Sequence, residues 1–239
     1  MRIKAVFLDF DGTLGEMRPS HFAAYRKAAA ECGIEVSEKD LAARELDDAW
    51  ARWMTPDGAV HLAESASEAT FRELRIALAV DRLRAAGARG DEAAFRRTGE
   101  RVAEIEGDAS WYALYDETLP ALERLARSGV DAIIVSNHVW RLPEIMKALD
   151  VGPLLAGVVS SARVGARKPH PLIYQHALRL TSARSDETVM VGDSLTADVA
   201  GAERAGIHGV YFDRRGRPAP EGVPAIRTLL DIPLEWPPA

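Results

Sequence analysis

The sequence predicts an α/β protein, with a Rossmann-like parallel sheet into which a bundle of helices is inserted. Five short apolar runs are typical of strands that are buried on both faces, as in parallel sheets. After about residue 116 these runs alternate with helical patterns, which indicates successive βαβ units. The interval from about residue 16 to 116 shows helical periodicity and no convincing strand.

The boundaries of these elements follow from the apolar runs and from the residues that interrupt them. The five strand candidates cover residues 3–8, 130–135, 154–159, 188–191 and 209–212. Helices are predicted over residues 120–127, 142–149, 171–180 and 197–205. Gly206 follows the last of these, and glycine commonly ends a helix. We expect the Pro-rich residues 235–239 to form a surface tail.

The inserted region is predicted to contain four helices, over residues 21–32, 37–54, 64–86 and 91–106. Ser37 is a candidate N-cap, with Asp40 at the capping-box position. The sequence therefore predicts two domains. The first is a Rossmann-like core of residues 1–15 and 117–239, and the second is a helical cap domain of residues 16–116. The hinges between them are expected near residues 15–18 and 115–118.

Composition limits the class of function. The net charge of −6 argues against nucleic acid as a partner, because such proteins usually present basic surface. Cys32 is the only cysteine, so the chain forms no internal disulfide and no cysteine-based metal cluster. The sequence shows neither a signal-peptide pattern nor the ~18 apolar residues that cross a bilayer. We therefore expect a cytoplasmic protein with no membrane partner, and either a monomer or a homodimer.

An acidic pair follows the first strand candidate, in the sequence Asp9-Phe10-Asp11-Gly12-Thr13-Leu14. Residues two apart on an extended chain project to the same side, so both carboxylates can face one site. Two carboxylates held so close repel each other unless a cation lies between them, and Mg²⁺ suits an oxygen-rich pair. Gly12 permits a tight backbone as the chain leaves the strand. The alternative is an ordinary strand-to-loop turn, where Asp and Gly are common.

A hydroxyl and a lysine follow two other strand candidates. Ser136 and Asn137 come directly after the second strand, and Lys168 lies between the third strand and the next helix. Pro169 favours extended geometry in the residue before it, which fixes how Lys168 leaves the backbone. An ammonium group at an acidic site can stabilise a nucleophilic carboxylate and a transferring phosphoryl group. The alternatives are a helix cap for Ser136 or Asn137 and a surface position for Lys168.

A second acidic pair follows the fourth strand candidate. Asp193 lies at the end of this strand and can complete the carboxylate set of a metal site. Asp198 falls in the first turn of the next helix, where the helix macrodipole alone would favour an acid. The four elements occur in the order acidic pair, hydroxyl, lysine, acidic pair, each at a strand end. This combination is more specific than any of its parts.

On these motifs the chain resembles the haloacid dehalogenase superfamily, in the phosphatase branch with a cap inserted after the first motif (subfamily I, C1 cap). The resemblance extends from Lys4 to about Phe212. It implies a sheet of strand order 5-4-1-2-3, whose order reverses beside strand 1, where open α/β sheets bind ligands. It also implies a phosphohydrolase with Mg²⁺ as cofactor and a small phosphorylated metabolite as substrate.

The resemblance also implies the catalytic roles. Asp9 would attack phosphorus and become transiently phosphorylated. Asp11 would act first as general acid on the leaving group and then as general base on the hydrolytic water. Ser136, Asn137 and Lys168 would bind the phosphoryl oxygens.

The metal site is implied in the same way. Mg²⁺ would be held by Asp9, by the backbone carbonyl of Asp11 and by Asp193, with Asp198 as a supporting acid. Most of the catalysis would then come from positioning and from neutralisation of charge during in-line transfer.

Other activities of the same fold remain as alternatives. In 2-haloacid dehalogenases and phosphonatases the position of Asp11 usually holds a different residue, which argues against both. A phosphonatase also needs a Schiff-base lysine from the cap, where only Lys27 and Lys39 are available. A sugar phosphomutase uses the same acidic pair and the same cap type and stays open. A catalytically silent binding protein is the non-enzymatic alternative.

The cap sequence offers few indications of the substrate. Conceivable contacts are Arg18, His21, Arg52, Trp53 and His61. Each has a structural alternative, because tryptophan suits the core of a helical bundle and charged residues suit a solvated face. The charge-rich residues 81–106 in particular are expected to form such a face.

Overall fold

A six-stranded parallel sheet forms the centre of the protein. The computed structural model describes residues 1–43, 60–214, 216 and 218–237. The strands of the sheet are β1 (Ala5–Leu8), β4 (Asp131–Ser136), β5 (Gly157–Ser160), β6 (Thr188–Gly192), β7 (His208–Phe212) and β8 (Ala225–Ile226). Their spatial order is β5-β4-β1-β6-β7-β8, and every neighbouring pair is parallel.

The class of fold agrees with the prediction, and the sheet differs from it in detail. Without β8, the strand order is the predicted 5-4-1-2-3 order viewed from the opposite edge. The two-residue strand β8 adds a sixth member at the edge, too short for a sequence pattern to reveal. The third strand begins later than predicted, because Gly152–Leu154 forms a 3₁₀ turn. Pro153 lies within this turn and has no amide hydrogen to donate to a sheet.

The register of the sheet aligns three strand ends. Leu8 at the end of β1 pairs with Ile134 of β4 on one side and with Val191 of β6 on the other. The chain segments that follow β1, β4 and β6 therefore leave the sheet side by side at one edge. This is the arrangement in which open parallel sheets bind ligands.

Helices cover both faces of the sheet. Along β1, Val6 and Leu8 belong to one apolar cluster, whereas Ala5 and Phe7 belong to the cluster on the opposite face. In the described residues after 117, the α-helices are Thr118–Arg127, Leu142–Ala148, Ser161–Val164, Pro171–Leu178 and Gly201–Arg204. Burial on both faces explains why the strands appear in the sequence as continuous apolar runs.

The helix predicted over residues 197–205 has a different form. Leu195–Ala200 is a π-helical segment, and only Gly201–Arg204 is α-helical. The amide of Val199 donates to the carbonyl of Ser194 at 3.3 Å, five residues back. Such π segments often occur at functional sites, and this one begins three residues after the end of β6.

The helical insert comprises the described residues 18–43 and 60–111, within the part of the chain between β1 and Thr118. Its α-helices are His21–Glu31, Glu38–Leu41, Glu68–Ala85 and Glu92–Glu106, with side-chain N-caps from Ser20, Ser37, Ser67 and Asp91. The helix predicted to begin at Ser37 does so, and its predicted continuation to residue 54 lies outside the described residues. No helix in the described part of the chain combines the length and apolar character that crossing a bilayer requires.

The prediction of no strand in the inserted region is wrong. Gly15–Met17 (β2) and Tyr112–Leu114 (β3) form a two-stranded antiparallel ribbon that joins the helical insert to the sheet. A Cβ atom at Gly15 would lie 2.6 Å from the carbonyl oxygen of Ala113, so the ribbon requires glycine at that position. Strands of three residues are too short to show an alternating pattern.

The predicted C-terminal tail lies at the surface, where Glu235 and Pro237 are exposed, but its described residues are paired with the N-terminus. The amide of Ile3 donates to the carbonyl of Leu234 at 2.9 Å, and the amide of Trp236 donates to the carbonyl of Met1 at 2.7 Å. The indole of Trp236 stacks on His208 with ring centroids 4.2 Å apart. Backbone pairing with the N-terminus therefore holds this segment against the core, despite its proline content.

Candidate active site

The acidic pair leaves the end of β1 in a tight turn. The carbonyl of Phe10 accepts hydrogen bonds from the amides of residues 13–15 at 2.9–3.1 Å. Gly12 has a φ of +75°, and a Cβ atom there would lie 2.6 Å from Asp193 Oδ2. Both the backbone conformation and the close approach of Asp193 therefore require glycine in this turn.

A buried lysine lies at the centre of the site. Lys168 is 2% exposed, and its Nζ lies 2.9 Å from Asp9 Oδ1 and 2.5 Å from Asp198 Oδ1. Burial acts to lower the pKa of Lys168, but the charges of Asp198 and Asp9 outweigh it, so the pKa is raised. The ammonium group is therefore retained at neutral pH and neutralises part of the acidic charge.

Asn137 fixes the backbone of this lysine. Its Nδ2 donates to the carbonyl of Lys168 at 2.9 Å, and its Oδ1 accepts from the amide of Lys168 at 2.7 Å. The sequence predicts Asn137 as a contact of the substrate phosphate. In the structure both polar atoms of its side chain already bind the backbone of Lys168.

Asp198 is fully buried beneath the site. Its Oδ1 accepts from Lys168, and its Oδ2 accepts from the amide of Ser194 at 2.9 Å. Burial raises the pKa of Asp198 to about 7, although the charge of Lys168 opposes this shift. A Cβ atom at Gly192 would lie 2.3 Å from Asp198 Cγ, so the end of β6 has no side chain where this carboxyl lies.

Three carboxylates form a candidate metal site. Asp9, Asp193 and Asp198 each offer an oxygen atom, and these atoms all lie within 4.8 Å of one another. Asp193 is exposed, so the site is open to solvent. A set of hard oxygen donors with an open side fits Mg²⁺, which binds a few carboxylates and keeps other positions for water or phosphate. The residues present therefore fit the cofactor predicted from the sequence.

The Asp11 carboxyl is not a member of this group and approaches His138 instead. Its Oδ2 lies 3.6 Å from His138 Nε2. Although 53% of the Asp11 side chain is exposed to the cleft, desolvation by the surrounding protein is the largest cause that raises its pKa to about 7. The charges of Asp9 and Asp193 contribute to the same shift. A carboxyl with a pKa near neutrality can both give and accept a proton.

Ser136 lies at the end of β4, beside the end of β1. It is 2% exposed and pairs in register with Ser160 of β5. The structure thus brings all seven residues predicted for the site to one edge of the sheet. These are Asp9, Asp11, Ser136, Asn137, Lys168, Asp193 and Asp198.

His138 is a site residue that the sequence interpretation missed. Its side chain is only 5% exposed and packs against Phe10 and Tyr112, with ring centroids 5.6 and 5.4 Å away. Burial lowers its pKa to about 4, so the imidazole is neutral at physiological pH. Its place directly after Ser136 and Asn137 was the available signal.

A cleft of about 570 Å³ opens between the strand ends and the helical insert. The sheet side contributes Asp11, Asn137 and His138 to its lining, and the insert contributes His21, Arg75 and Glu106, among others. A cavity of this size suits a small metabolite. Asp11 and Asn137 of the candidate active site therefore face this cleft.

Charged side chains of the insert turn into this cleft. Arg75 and Glu106 form a buried bidentate pair, with Nε to Oε2 at 3.0 Å and Nη2 to Oε1 at 2.5 Å. Arg82 is also buried, so the expectation that residues 81–106 form a solvated face is wrong for Arg82 and Glu106. Arg82 and Glu106 each follow, by four positions, an apolar residue of the same helix that is buried or half-buried. Residues four apart share a helix face, so the sequence does contain a signal for the burial of both side chains.

The conceivable substrate contacts in the insert have different positions. His21 lines the cleft. Arg18 is more than half exposed and pairs with Glu16, whereas His61 is buried with its Nδ1 3.1 Å from Ser65 Oγ. Arg52 and Trp53 lie outside the described residues. Arg167, missed from the sequence, also lines the cleft, and burial lowers its pKa to about 10.

Comparison with known families identifies the class of protein. Residues 3–206 match the family described as "Hydrolase: haloacid dehalogenase-like hydrolase". The chain belongs to this family. The predictions of family and of enzyme class are thereby confirmed.

Two proteins with similar sequences are phosphatases. The chain is 30% identical to phosphoserine phosphatase from Thermus thermophilus, over 94% of this chain and 95% of that protein. It is also 30% identical to phosphoglycolate phosphatase from Rhodospirillum rubrum, over 85% of this chain and 77% of that protein. Among solved structures it resembles the putative HAD-hydrolase YfnB from Bacillus subtilis, with a TM-score of 0.69, 21% identity and 96% coverage of both chains.

Proposed function

We propose that the protein is a magnesium-dependent phosphohydrolase that cleaves small phosphate monoesters through an aspartyl-phosphate at Asp9. One observation carries this proposal. The Asp9 carboxylate lies 2.9 Å from the buried Lys168 ammonium and within the group of three acids. A nucleophile, its counter-charge and a potential cation site thus share one position.

The acid cluster supports the metal assignment. Asp9, Asp193 and the backbone carbonyl of Asp11 would hold Mg²⁺, with Asp198 as a supporting acid that orients Lys168. When bound, the cation supplies charge neutralisation for the phosphoryl oxygens and reduces the repulsion between the carboxylates. Both oxygens of Asp198 already bind Lys168 and Ser194, which supports its secondary role.

The reaction then needs two displacements at phosphorus. In the first, a bond forms between an oxygen of Asp9 and phosphorus while the bond to the ester oxygen breaks, and Asp11 gives its proton to that oxygen. In the second, water attacks phosphorus and loses a proton to Asp11, and the bond between phosphorus and Asp9 breaks. The products are an alcohol and inorganic phosphate, and both aspartates return to their initial states.

The phosphoryl group is proposed to bind beside the ends of β1 and β4. Ser136 would donate its hydroxyl hydrogen to a phosphoryl oxygen, and Lys168 would supply positive charge. Asn137 would serve this step by holding the Lys168 backbone, as its two hydrogen bonds indicate.

The helical insert is proposed to act as a cap over this site. In this proposal the core is residues 1–15 and 117–239, the cap is residues 16–116, and the ribbon of β2 and β3 connects them. A closed cap excludes water and strengthens the electrostatic interactions beneath it. A cleft of about 570 Å³ and the phosphatase relatives support a small phosphorylated metabolite as substrate.

The proposal is tested by hydrolysis of 4-nitrophenyl phosphate, with wild type and Asp9→Asn each assayed with Mg²⁺ and with chelator. We expect wild-type turnover only with Mg²⁺, and a loss of about 10⁴-fold or more in Asp9→Asn. A panel of phosphorylated metabolites follows, with release of inorganic phosphate as the measurement. Substantial turnover by Asp9→Asn, or wild-type turnover unaffected by chelator, would contradict the proposal.

A further inference from the structure

We propose that His138 is a positioning residue for Asp11, whose carboxyl it holds in the orientation that protonates the leaving group. The proposal rests on the proposed function, because it concerns the proton transfer that this function assigns to Asp11. His138 itself does not touch the reacting atoms in this scheme.

The imidazole is held rigidly. Phe10, Tyr112 and His138 form an aromatic cluster in which each ring contacts the other two, with centroids 5.4–5.8 Å apart. The backbone is fixed as well, because Ser160 Oγ is 2.9 Å from the carbonyl oxygen of His138 and 2.8 Å from that of Val139. Because its ring and its backbone are both held, the imidazole of His138 can fix the orientation of the more exposed Asp11 carboxyl.

The two ring nitrogens have different surroundings. Nδ1 is buried and has no hydrogen-bond partner among the described residues. Nε2 has the Asp11 Oδ2 atom 3.6 Å away. A neutral imidazole carries one proton, and a proton on Nδ1 would leave a buried donor with no acceptor. The tautomer with hydrogen on Nε2 is therefore favoured, and this nitrogen can donate to Asp11.

The observed distance is slightly longer than a hydrogen bond. The Asp11 side chain is half exposed, so a small rotation of its carboxyl is enough to close the gap. Hydrogen bonds at catalytic groups are often long without substrate and shorten in the complex. The fixed partner is the histidine, and the adjustable one is the aspartate.

This contact defines what each oxygen of Asp11 does. With Oδ2 held by His138, Oδ1 carries the proton toward the ester oxygen. As the bond from phosphorus to that oxygen breaks, the proton passes to the alcohol and a carboxylate remains. The Nε2–H donor stabilises the carboxylate that forms, because hydrogen bonds to charged acceptors are stronger than those to neutral ones.

Leaving-group dependence separates this function from a purely structural one. The alcohol of an alkyl phosphate must be protonated as it leaves, whereas 4-nitrophenol leaves readily as an anion. The value of kcat/KM reports steps up to departure of the leaving group. It is measured with both esters, in the full-length chain with Mg²⁺, for wild type, His138→Phe, His138→Gln and His138→Asn.

We expect His138→Phe to lower kcat/KM for the alkyl ester by about 10–100-fold, and for the aryl ester by at most about threefold. Phenylalanine preserves the ring packing and removes the donor. His138→Gln should recover most of the alkyl activity, because its amide nitrogen reaches the position of Nε2. The shorter His138→Asn should not. The ratio of the two activities is independent of any fraction of unfolded protein.

Equal losses for both esters, or a His138→Gln variant no better than His138→Phe, would overturn the proposal. Asp11→Asn is the control for the function on which it rests. If Asp11→Asn loses alkyl activity selectively while the His138 variants do not, only the positioning proposal fails. If Asp11→Asn loses both activities equally, or if wild type hydrolyses neither ester, the assignment of Asp11 and the positioning proposal fail together.

Discussion

The strand-end site and the helical insert each bury a cation against carboxylates, and they do so by different means. At the strand ends, Lys168 contacts Asp9, which directly follows β1, and Asp198 of the π-helical segment, and Asn137 fixes the Lys168 backbone. In the insert, Arg75 contacts Glu106 across two packed helices. The first arrangement is built on segments that leave the sheet, and the second on helix packing.

From this difference we expect the strand ends to determine the reaction chemistry and the helical insert to determine the shape of the cleft. Strand ends in a close-packed parallel sheet hold their side chains in nearly constant positions, as a nucleophile and its counter-charge require. Helices can adjust their relative positions, and with them the shape and charge of the cleft wall. We therefore expect the Arg75–Glu106 pair to affect stability and substrate fit, and the Lys168 contacts to affect the reaction.

The largest expected effect comes from a matched pair of variants. Lys168→Met and Arg75→Met each remove a buried cation from a buried carboxylate, so each should lower the free energy of unfolding by about 3–5 kcal/mol. Only Lys168→Met should also lower kcat, by about 10²–10³-fold, because it removes positive charge from the phosphoryl site. Urea unfolding and turnover of 4-nitrophenyl phosphate measure the two effects.

The expected loss of stability follows from burial, because each variant leaves a buried carboxylate without its cation. A Lys168→Met variant with unchanged kcat would remove the distinction between the two regions. So would an Arg75→Met variant whose kcat, corrected for the folded fraction, falls as far as that of Lys168→Met.

Acid should weaken the stability difference between wild type and Arg75→Met. Burial acts to raise the pKa of Glu106, but the charges of Arg75 and His21 outweigh it, so the pKa is lowered below 4.5. The stability from this shift is fully present above the unfolded pKa and is lost as pH falls through the folded pKa. In Arg75→Met, burial raises the Glu106 pKa instead. Glu106 then becomes protonated as the pH falls, and the variant regains stability.

Neighbouring groups act in the same direction. Burial is the largest cause that lowers the pKa of His21 and of His138, and the charge of Arg75 adds to both shifts. Removal of Arg75 therefore reduces the stability that the protein loses in acid when these histidines become protonated. The two unfolding free energies, measured by urea titration from pH 7 to pH 4, should therefore converge. Parallel curves would mean that Glu106 does not depend on Arg75 for its charge.

The contrast between the strand ends and the helical insert also explains how much of the fold and of the site could be predicted from the sequence. The apolar runs of β1, β4 and β6 are followed at once by polar residues, so their register brings Asp9, Asp11, Ser136, Asn137 and Asp193 together. Lys168 and Asp198 reach the site from the segment that follows β5 and from the π-helical segment. Arg75 and Glu106 depend on which helix faces meet, and a helical pattern containing many charges permits several answers. The short strands β2, β3 and β8 arise from tertiary contacts and have no pattern of their own.

Two details of the site were also beyond the sequence. Asn137 was identified as part of the motif, but only the structure reveals that its side chain binds the Lys168 backbone. His138 is adjacent to that motif, yet a single histidine after a strand has no distinctive chemistry until Asp11 is found beside it. Sequence spacing thus predicted which residues approach one another, and not which atoms meet.

The smallest expected effects come from one glycine in each region. A Cβ atom at Gly192 would lie 2.3 Å from Asp198 Cγ, and one at Gly99 would lie 2.9 Å from the carbonyl oxygen of Ile76. Overpacking costs about 1–3 kcal/mol. In the helix Glu92–Glu106, alanine also regains about 1 kcal/mol of helix propensity. Gly99→Ala should therefore lose only about 0–2 kcal/mol of stability.

The effects of these glycine variants on turnover should differ more than their effects on stability. Gly192→Ala displaces the carboxyl that orients Lys168, so kcat should fall by roughly tenfold. Gly99→Ala moves two helices of the insert slightly apart and leaves the strand ends in place, so kcat should stay within roughly twofold of wild type. Equal losses of kcat in both variants would mean that packing in the insert controls the geometry of the strand-end site.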